Sequence, residues 1–125
     1  MNKNAKNQVV QQLKSYPVSS KIVRTDVPDS EVIRQMGRWV CAIDRVMESL
    51  KADAPRKAEL AQHLFFDEVS QYAADSCARR NEVLELMYIS EPTLCRWRDD
   101  IINEALISAI EAGAVSVYGA LEASI

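Results

Sequence analysis

Apolar residues recur at intervals of three and four along most of this 125-residue chain, which is the spacing of helices that bury one face. The longest apolar stripe runs from Val32 to Leu50 through five helical turns. Asp29 or Ser30 before it is suited to cap a helix start, and Pro55 after it is suited to the first turn of another helix. The pattern therefore predicts a first core helix that begins near residue 30 and stops just before Pro55.

Two features of this region bear on how the helices pack. Gly37 lies inside the first stripe and weakens a helix by about 1 kcal/mol relative to alanine, so we expect another helix to cross closely there.

The helix that Pro55 opens is predicted to run to about Ser76. Phe66 would point away from the apolar face of that helix, which makes it a candidate for a second contact surface.

The last third of the chain carries two more predicted helices with a tight joint between them. The first is short and covers Asn81 to Met87, and Tyr88 and Ile89 follow it. Ser90 is well placed to cap the last long helix, and the proline at 92 falls in its first turn, where a missing N–H has no cost. Gly113 is a natural stop for that helix.

Composition supports a wholly helical protein. Only three glycines and four prolines occur, and 48% of the residues are hydrophobic, enough for a core. The predicted fold is therefore all-α, a small domain of about four helices over residues 28–125 with a helix-turn-helix at about 79–112. Residues 1–27 are polar and basic, so we expect a flexible arm that forms at most one short helix before Pro17.

The net charge of −3 is unevenly distributed along the chain. The first 25 residues carry five bases and no acid, and residues 79–98 carry four bases and three acids. Residues 99–125 carry only acids. A basic arm and a mildly basic segment on an acidic body permit a local DNA-facing surface but oppose nucleic-acid binding over the whole protein.

The two last helices satisfy the hydrophobic pattern of a helix-turn-helix. Such a unit needs apolar residues early and late in its first helix, one in the joint, and two spaced by three in the second helix. Residues suited to these five places are Val83, Met87, Ile89, Leu94 and Trp97. We expect all five to belong to the core.

The segment ISEPTLCRW, residues 89–97, resembles the turn and recognition helix of this class, in which an aliphatic residue and Ser precede a Thr and an Arg-Trp pair. Two positions depart from the usual pattern: Leu84 stands where alanine is common, and Tyr88 where the joint usually has glycine. Residues 79–112 are also similar to the sigma-region-4-like units of phage late transcription regulators, the RinA and ArpU types and the Q-type antiterminators. The resemblance implies promoter DNA binding together with RNA polymerase or its sigma factor.

On that resemblance, a set of polar residues would contact DNA. Glu91, Pro92, Thr93 and Arg96 would face the groove, and Arg96 could pair bidentately with guanine. Ser90, Arg98 and Cys95 would lie near the phosphate backbone. Arg79 and Arg80 would contact phosphates, as would the basic arm. The predicted DNA-binding residues are therefore Arg79, Arg80, Ser90, Glu91, Pro92, Thr93, Arg96 and Arg98.

Other interpretations of the same segment stay open. Capping alone explains Ser90 and Pro92, although Arg96 and Arg98 flank Trp97 in a chain otherwise rich in acids. A dimeric repressor would use the Val32 to Leu50 stripe or the C-terminal tail for two-fold pairing. A small terminase subunit would form rings. A helical protein-interaction adaptor would bind no DNA, and its arginines would be paired with acids on the surface.

Several classes of protein are not expected. His63 is the only histidine, and His63 with Asp67 suits an ordinary helix-surface pair, so we predict no catalytic residue, metal or cofactor. No apolar segment approaches the roughly 20 residues of a membrane-spanning helix. The three cysteines lack paired spacing, which favours reduced thiols and a cytoplasmic protein.

Overall fold

The computed structural model describes residues 3–25, 30–66 and 76–116. Within these ranges the chain is all-helical and contains no strand, which confirms the predicted fold class. Five α-helices occur there, one more than expected: α1 (Lys3–Thr25), α2 (Glu31–Asp53), α3 (Pro55–Ala61), α4 (Ser76–Met87) and α5 (Glu91–Glu111). A wider π-helical turn, Gln62–Phe66, continues α3.

Helix α2 begins and ends where the sequence predicted. The Ser30 hydroxyl caps its start by accepting a hydrogen bond from the Ile33 amide at 3.2 Å, and Pro55 opens α3 two residues after Asp53. The buried part of the stripe runs from Trp39 to Leu50. Because Trp39 to Leu50 pack in the core of the same chain, this part of the stripe is not free for the two-fold pairing expected of a dimeric repressor. The C-terminal tail, the other surface expected for that pairing, lies mostly outside the described ranges.

Helix α1 replaces the flexible arm that the sequence suggested. It spans 23 residues and continues through Pro17, although proline removes a main-chain donor from the helix. Ala5, Val9 and Leu13, spaced by four, are buried in the core. This stripe is narrow and lies among Asn, Gln and Lys residues, so its amphipathic character is weak in the sequence. The helix is stabilised by tertiary packing on α2 and α5.

The segment after α3 agrees only in part with the helix predicted from the sequence. Helical structure continues to Phe66, and the remainder of the predicted helix up to Ser76 lies mainly in residues 67–75, outside the described ranges. The Phe66 ring packs on the ring of Tyr16, with centroids 5.1 Å apart and planes tilted by 40°. The second contact surface expected of Phe66 is therefore α1.

Helix α5 packs on α1, α2 and α3 and runs antiparallel to α2. Near its carboxyl end, the buried Ser108 hydroxyl donates to the Ala42 carbonyl at 2.8 Å. Midway along α5, Lys57 of α3 pairs with Asp100 at 3.0 Å. Gly113 has φ +80° and stops the helix as predicted. Arg56, at the start of α3, donates to the carbonyl of Met87 just before α5, so the amino end of α5 lies near the point where α2 stops and α3 begins.

Candidate nucleic-acid interface

The joint between α4 and α5 is a compact helix stop followed directly by a helix start. Tyr88 has φ +53°, the left-handed conformation that usually follows the last residue of a helix. The Ile89 amide then donates to the Leu84 carbonyl at 3.4 Å, the long-range bond of a Schellman stop. Ser90 caps α5. The chain thus makes, with a tyrosine, the turn for which glycine is usual.

The five apolar residues predicted to be in the core of the two helices and their joint are buried or partly buried. Val83, Met87 and Leu94 are fully buried in the core, and Ile89 and Trp97 are partly buried against it. This confirms the five core positions inferred from the sequence. The back of the α4 and α5 pair is therefore fixed on the bundle, and the start of α5 is left at the surface.

An arginine of α3 braces the joint from the side. Arg56 donates from its guanidinium to the main-chain carbonyl of Met87, at the end of α4. The same guanidinium pairs with Glu59 at 3.2 Å. Because the last carbonyls of a helix lack partners within it, a buttressing cation satisfies one of them and favours the helix dipole. The sequence pattern gave no signal for this contact, which joins residues 31 positions apart.

Two of the predicted DNA contacts serve the helix cap. The Ser90 hydroxyl oxygen accepts from the Thr93 amide at 3.3 Å and also interacts with the Thr93 hydroxyl at 2.9 Å. These bonds set the start of α5 and orient both hydroxyls towards each other. Ser90 and Thr93 therefore have a structural role irrespective of any ligand.

Pro92 and Arg96 form the outward face of the first turns of α5. They are four residues apart, so their side chains lie one above the other on the helix, and both are exposed. Within the described ranges, Arg96 takes part in no ion pair. Arg98 is half-buried and likewise has no acidic partner there. An exposed guanidinium thus stands beside the amino end of a capped helix, where partial positive charge accumulates.

Arg80 is drawn towards α5 and away from solvent. Its Nε lies 3.6 Å from Oε1 of Glu91, and its guanidinium also donates to Sγ of Cys95. The structure thus brings together two predicted site residues, and adds Cys95 as a partner of the arginine. Glu91 neutralises part of the Arg80 charge, which weakens the expected phosphate contact. Arg79 belongs to α4, but its side chain lies outside what the structure describes.

The first residues of α1 lie away from this surface. Asn4, Ala5 and Gln8 of α1 line a shallow groove together with residues 114–116, just beyond the carboxyl end of α5. At 1.5 Å per residue, the two ends of α5 are about 30 Å apart. The start of α1 therefore lies near the carboxyl end of α5 and away from Arg96, and the phosphate contacts expected of the basic segment stay a prediction.

No protein-family model, no curated protein and no solved structure matches this chain. In the ranges that the structure describes, no helix combines the length and apolarity needed to cross a membrane.

Proposed function

We propose that the amino end of α5 binds double-stranded DNA as the second helix of a helix-turn-helix. The observation that carries the proposal is the opposite orientation of neighbouring side chains in its first turns. Leu94 is buried in the core, whereas Pro92 and Arg96 face solvent. A recognition helix needs this arrangement, because one side is held by the protein while the other enters the major groove.

Each charged group at this surface has a chemical use on DNA. Arg96 offers two parallel N–H donors that match the O6 and N7 acceptors of guanine, and Arg98 lies two residues further along for a phosphate. Glu91 could accept from a cytosine amine if Arg80 exchanged its ion pair with Glu91 and its contact with Cys95 for a phosphate. Such an exchange would uncover the Arg80 charge on binding.

The biological setting that we propose is regulation of late transcription by a phage or prophage protein. Its support is the resemblance of residues 79–112 to the RinA, ArpU and Q-type regulators, and it includes contact with RNA polymerase or its sigma factor. The acidic body agrees with this setting, because acidic surfaces repel DNA and leave binding to one local region.

The proposal is tested by selecting duplexes from a random-sequence library and measuring affinity for the enriched sequence by fluorescence anisotropy. We expect affinity to fall steeply with salt. Arg96→Ala should cost about 1–3 kcal/mol, or about 5- to 150-fold in affinity, and should relax specificity at one base pair.

Arg34→Ala is the matched control for this experiment. It removes the same charge from an exposed position near the start of α2, where neighbouring Gln35 donates to the Ala114 carbonyl at the far end of α5. Arg34→Ala should therefore leave the affinity nearly unchanged. A failure to enrich any duplex, or equal losses in the two variants, would reject the DNA-binding proposal.

A second candidate function is a helical interaction module that binds protein and no DNA. The pairing of Arg80 with Glu91 favours it, because an arginine engaged by an acid presents less charge to phosphates. The two candidates differ in a simple respect: the interaction module would show no salt-sensitive affinity for any duplex.

A further inference from the structure

The carboxyl end of α4 presents an acidic and apolar surface that the proposed DNA interface does not use. This α4 patch consists of Glu82, Glu85, Leu86 and Tyr88. All four side chains are exposed, Leu86 by 58% and Tyr88 by 94%. The glutamates and Leu86 share one helix face, since they are three and four residues apart. The nearby Arg56 already binds a main-chain carbonyl and Glu59.

The identity of residue 88 is unexplained by the fold. A left-handed φ favours glycine or asparagine, and the Tyr88 side chain is almost wholly in solvent. Exposed aromatic and aliphatic side chains at adjoining positions are typical of protein interfaces. The glutamates disfavour a phosphate backbone as the partner, so the α4 patch fits a protein surface that is basic and apolar.

The chain itself carries a surface of that kind on α1. Residues 3–25 contain five bases and no acid. Lys14, Val18 and Lys21, called here the α1 stripe, are exposed and follow one another at the spacing of a single helix face. Val18 is 57% exposed. In the described part of the protein, neither lysine belongs to an ion pair. The stripe is outward because Val9 and Leu13 occupy the core-facing side.

We propose that the α4 patch of one copy binds the α1 stripe of a second copy. Val18 packs between Leu86 and Tyr88, and the lysines of the stripe approach the glutamates of the patch. Because two different surfaces meet, the copy that uses its α4 patch keeps its α1 stripe free, and the other copy keeps its α4 patch free. Such head-to-tail contacts produce closed rings or open chains and not a closed two-fold dimer. The outward face of α5 at Pro92 and Arg96 belongs to neither surface and stays available.

The interface is small and charged, which determines how it should behave. Two short helical faces fall at the low end of specific protein interfaces in area, so association should be weak and should depend on protein concentration. The charged pairs lie at an exposed rim, so salt should weaken the contact. Sedimentation velocity without DNA, over a range of protein and salt concentrations, measures both effects.

The decisive experiment mixes two variants that each lack one surface. Leu86→Ser with Tyr88→Gly removes the patch, and Val18→Glu places an acid in the stripe opposite the acidic patch. Each variant alone should self-associate about tenfold or more weakly than the parent chain, and should therefore be monomeric at concentrations where the parent chain associates. Their equimolar mixture should form a 1:1 pair and grow no further, since one intact patch and one intact stripe remain.

Controls separate this contact from general stickiness and from DNA binding. Ile107→Ser, at another exposed apolar position, and Arg96→Ala should both associate as the parent chain does. Circular dichroism should show native helix content in every variant. A parent chain that is monomeric at all concentrations, a mixture that stays monomeric, or a two-fold dimer that persists in both variants would each overturn the proposal. None of these results depends on whether DNA binds.

Discussion

The Tyr16 hydroxyl donates a hydrogen bond to Oδ1 of Asp44, which joins α1 to α2 across 28 positions of the sequence. Arg24 approaches the other oxygen of the same carboxylate at 3.4 Å. Partial burial of the phenol, together with the hydrogen bond to Asp44 and its negative charge, raises the pKa of Tyr16 above its ordinary value. The nearby Arg24 opposes this effect without cancelling it.

This contact predicts a loss of stability in alkali. The pKa of Tyr16 is higher in the folded chain than in the unfolded one, where it is about 10. The neutral phenol therefore contributes fully to the unfolding free energy at pH values below about 10, and this contribution is lost as pH rises through the pKa of the folded chain. Tyr16→Phe should lower the unfolding free energy at neutral pH by about 1–2 kcal/mol and flatten the alkaline decline. Urea unfolding at several pH values measures both effects. A Tyr16→Phe variant with the stability and pH profile of the parent chain would contradict this account.

Replacing the tyrosine in the joint should stabilise the protein. The left-handed conformation of Tyr88 costs about 1–2 kcal/mol for an ordinary L-residue, whereas glycine adopts it freely and loses about 0.5–1 kcal/mol through backbone entropy. Tyr88→Gly should therefore raise the unfolding free energy by about 0.5–1 kcal/mol. Tyr88→Val should lower it, because a β-branched residue fits that conformation poorly. An unfolding curve for Tyr88→Gly below that of the parent chain would contradict this account.

The two described helix-associated glycines should respond oppositely to alanine. A Cβ atom on Gly37 would meet Val23 of α1 at 3.9 Å, an ordinary van der Waals distance. The predicted close crossing is thus present, but it leaves room for a methyl group. Gly37→Ala should stabilise the protein by about 0.5–1 kcal/mol. Gly113→Ala should destabilise it by about 1–2 kcal/mol, because φ there is positive. Thermal unfolding of both variants tests the contrast.

The role of Ser90 as a cap can be separated from a role in contacting DNA. Ser90→Ala should cost about 1 kcal/mol of stability through loss of the cap, and Ser30→Ala at the start of α2 should cost a similar amount. Ser90→Asp restores a capping oxygen but adds negative charge beside the proposed groove surface. We expect it to keep the parent stability and to bind DNA less tightly. Equal DNA affinity for Ser90→Asp and the parent chain would show that residue 90 lies away from the phosphates.

Local signals in the sequence were sufficient for the parts of the fold that depend on neighbouring residues. Ser30, Ser90 and Gly113 act on helix ends within a few positions of themselves, and each lies where it was predicted. The buried positions of the joint were also predictable, because burial of one helix face has a regular period. The long α1 was not, since its narrow stripe is helical only when covered by helices distant in the sequence.

Some features of the candidate site were likewise predictable from the sequence, and others were not. Pro92 and Arg96 were placed correctly at the surface because the period of α5 determines which residues face outward. The engagement of Arg80 by Glu91 and Cys95, and of the Met87 carbonyl by Arg56, depends on the angle at which helices meet. No spacing rule supplies that angle. The only sign in the sequence of the left-handed conformation at Tyr88 was that tyrosine stands where the joint usually has glycine.

The packing of α1 on both α2 and α5 also has a consequence for synthesis. A chain made from its amino end at about 5–20 residues per second completes Ala109 about 5–20 s after Val9. During that interval Val9 and Leu13 lack their cover from α5, so the nascent protein exposes apolar surface that aggregates or recruits chaperones. Translation pauses at any point between Leu13 and the end of α5 prolong this interval and should therefore lower the yield of folded protein.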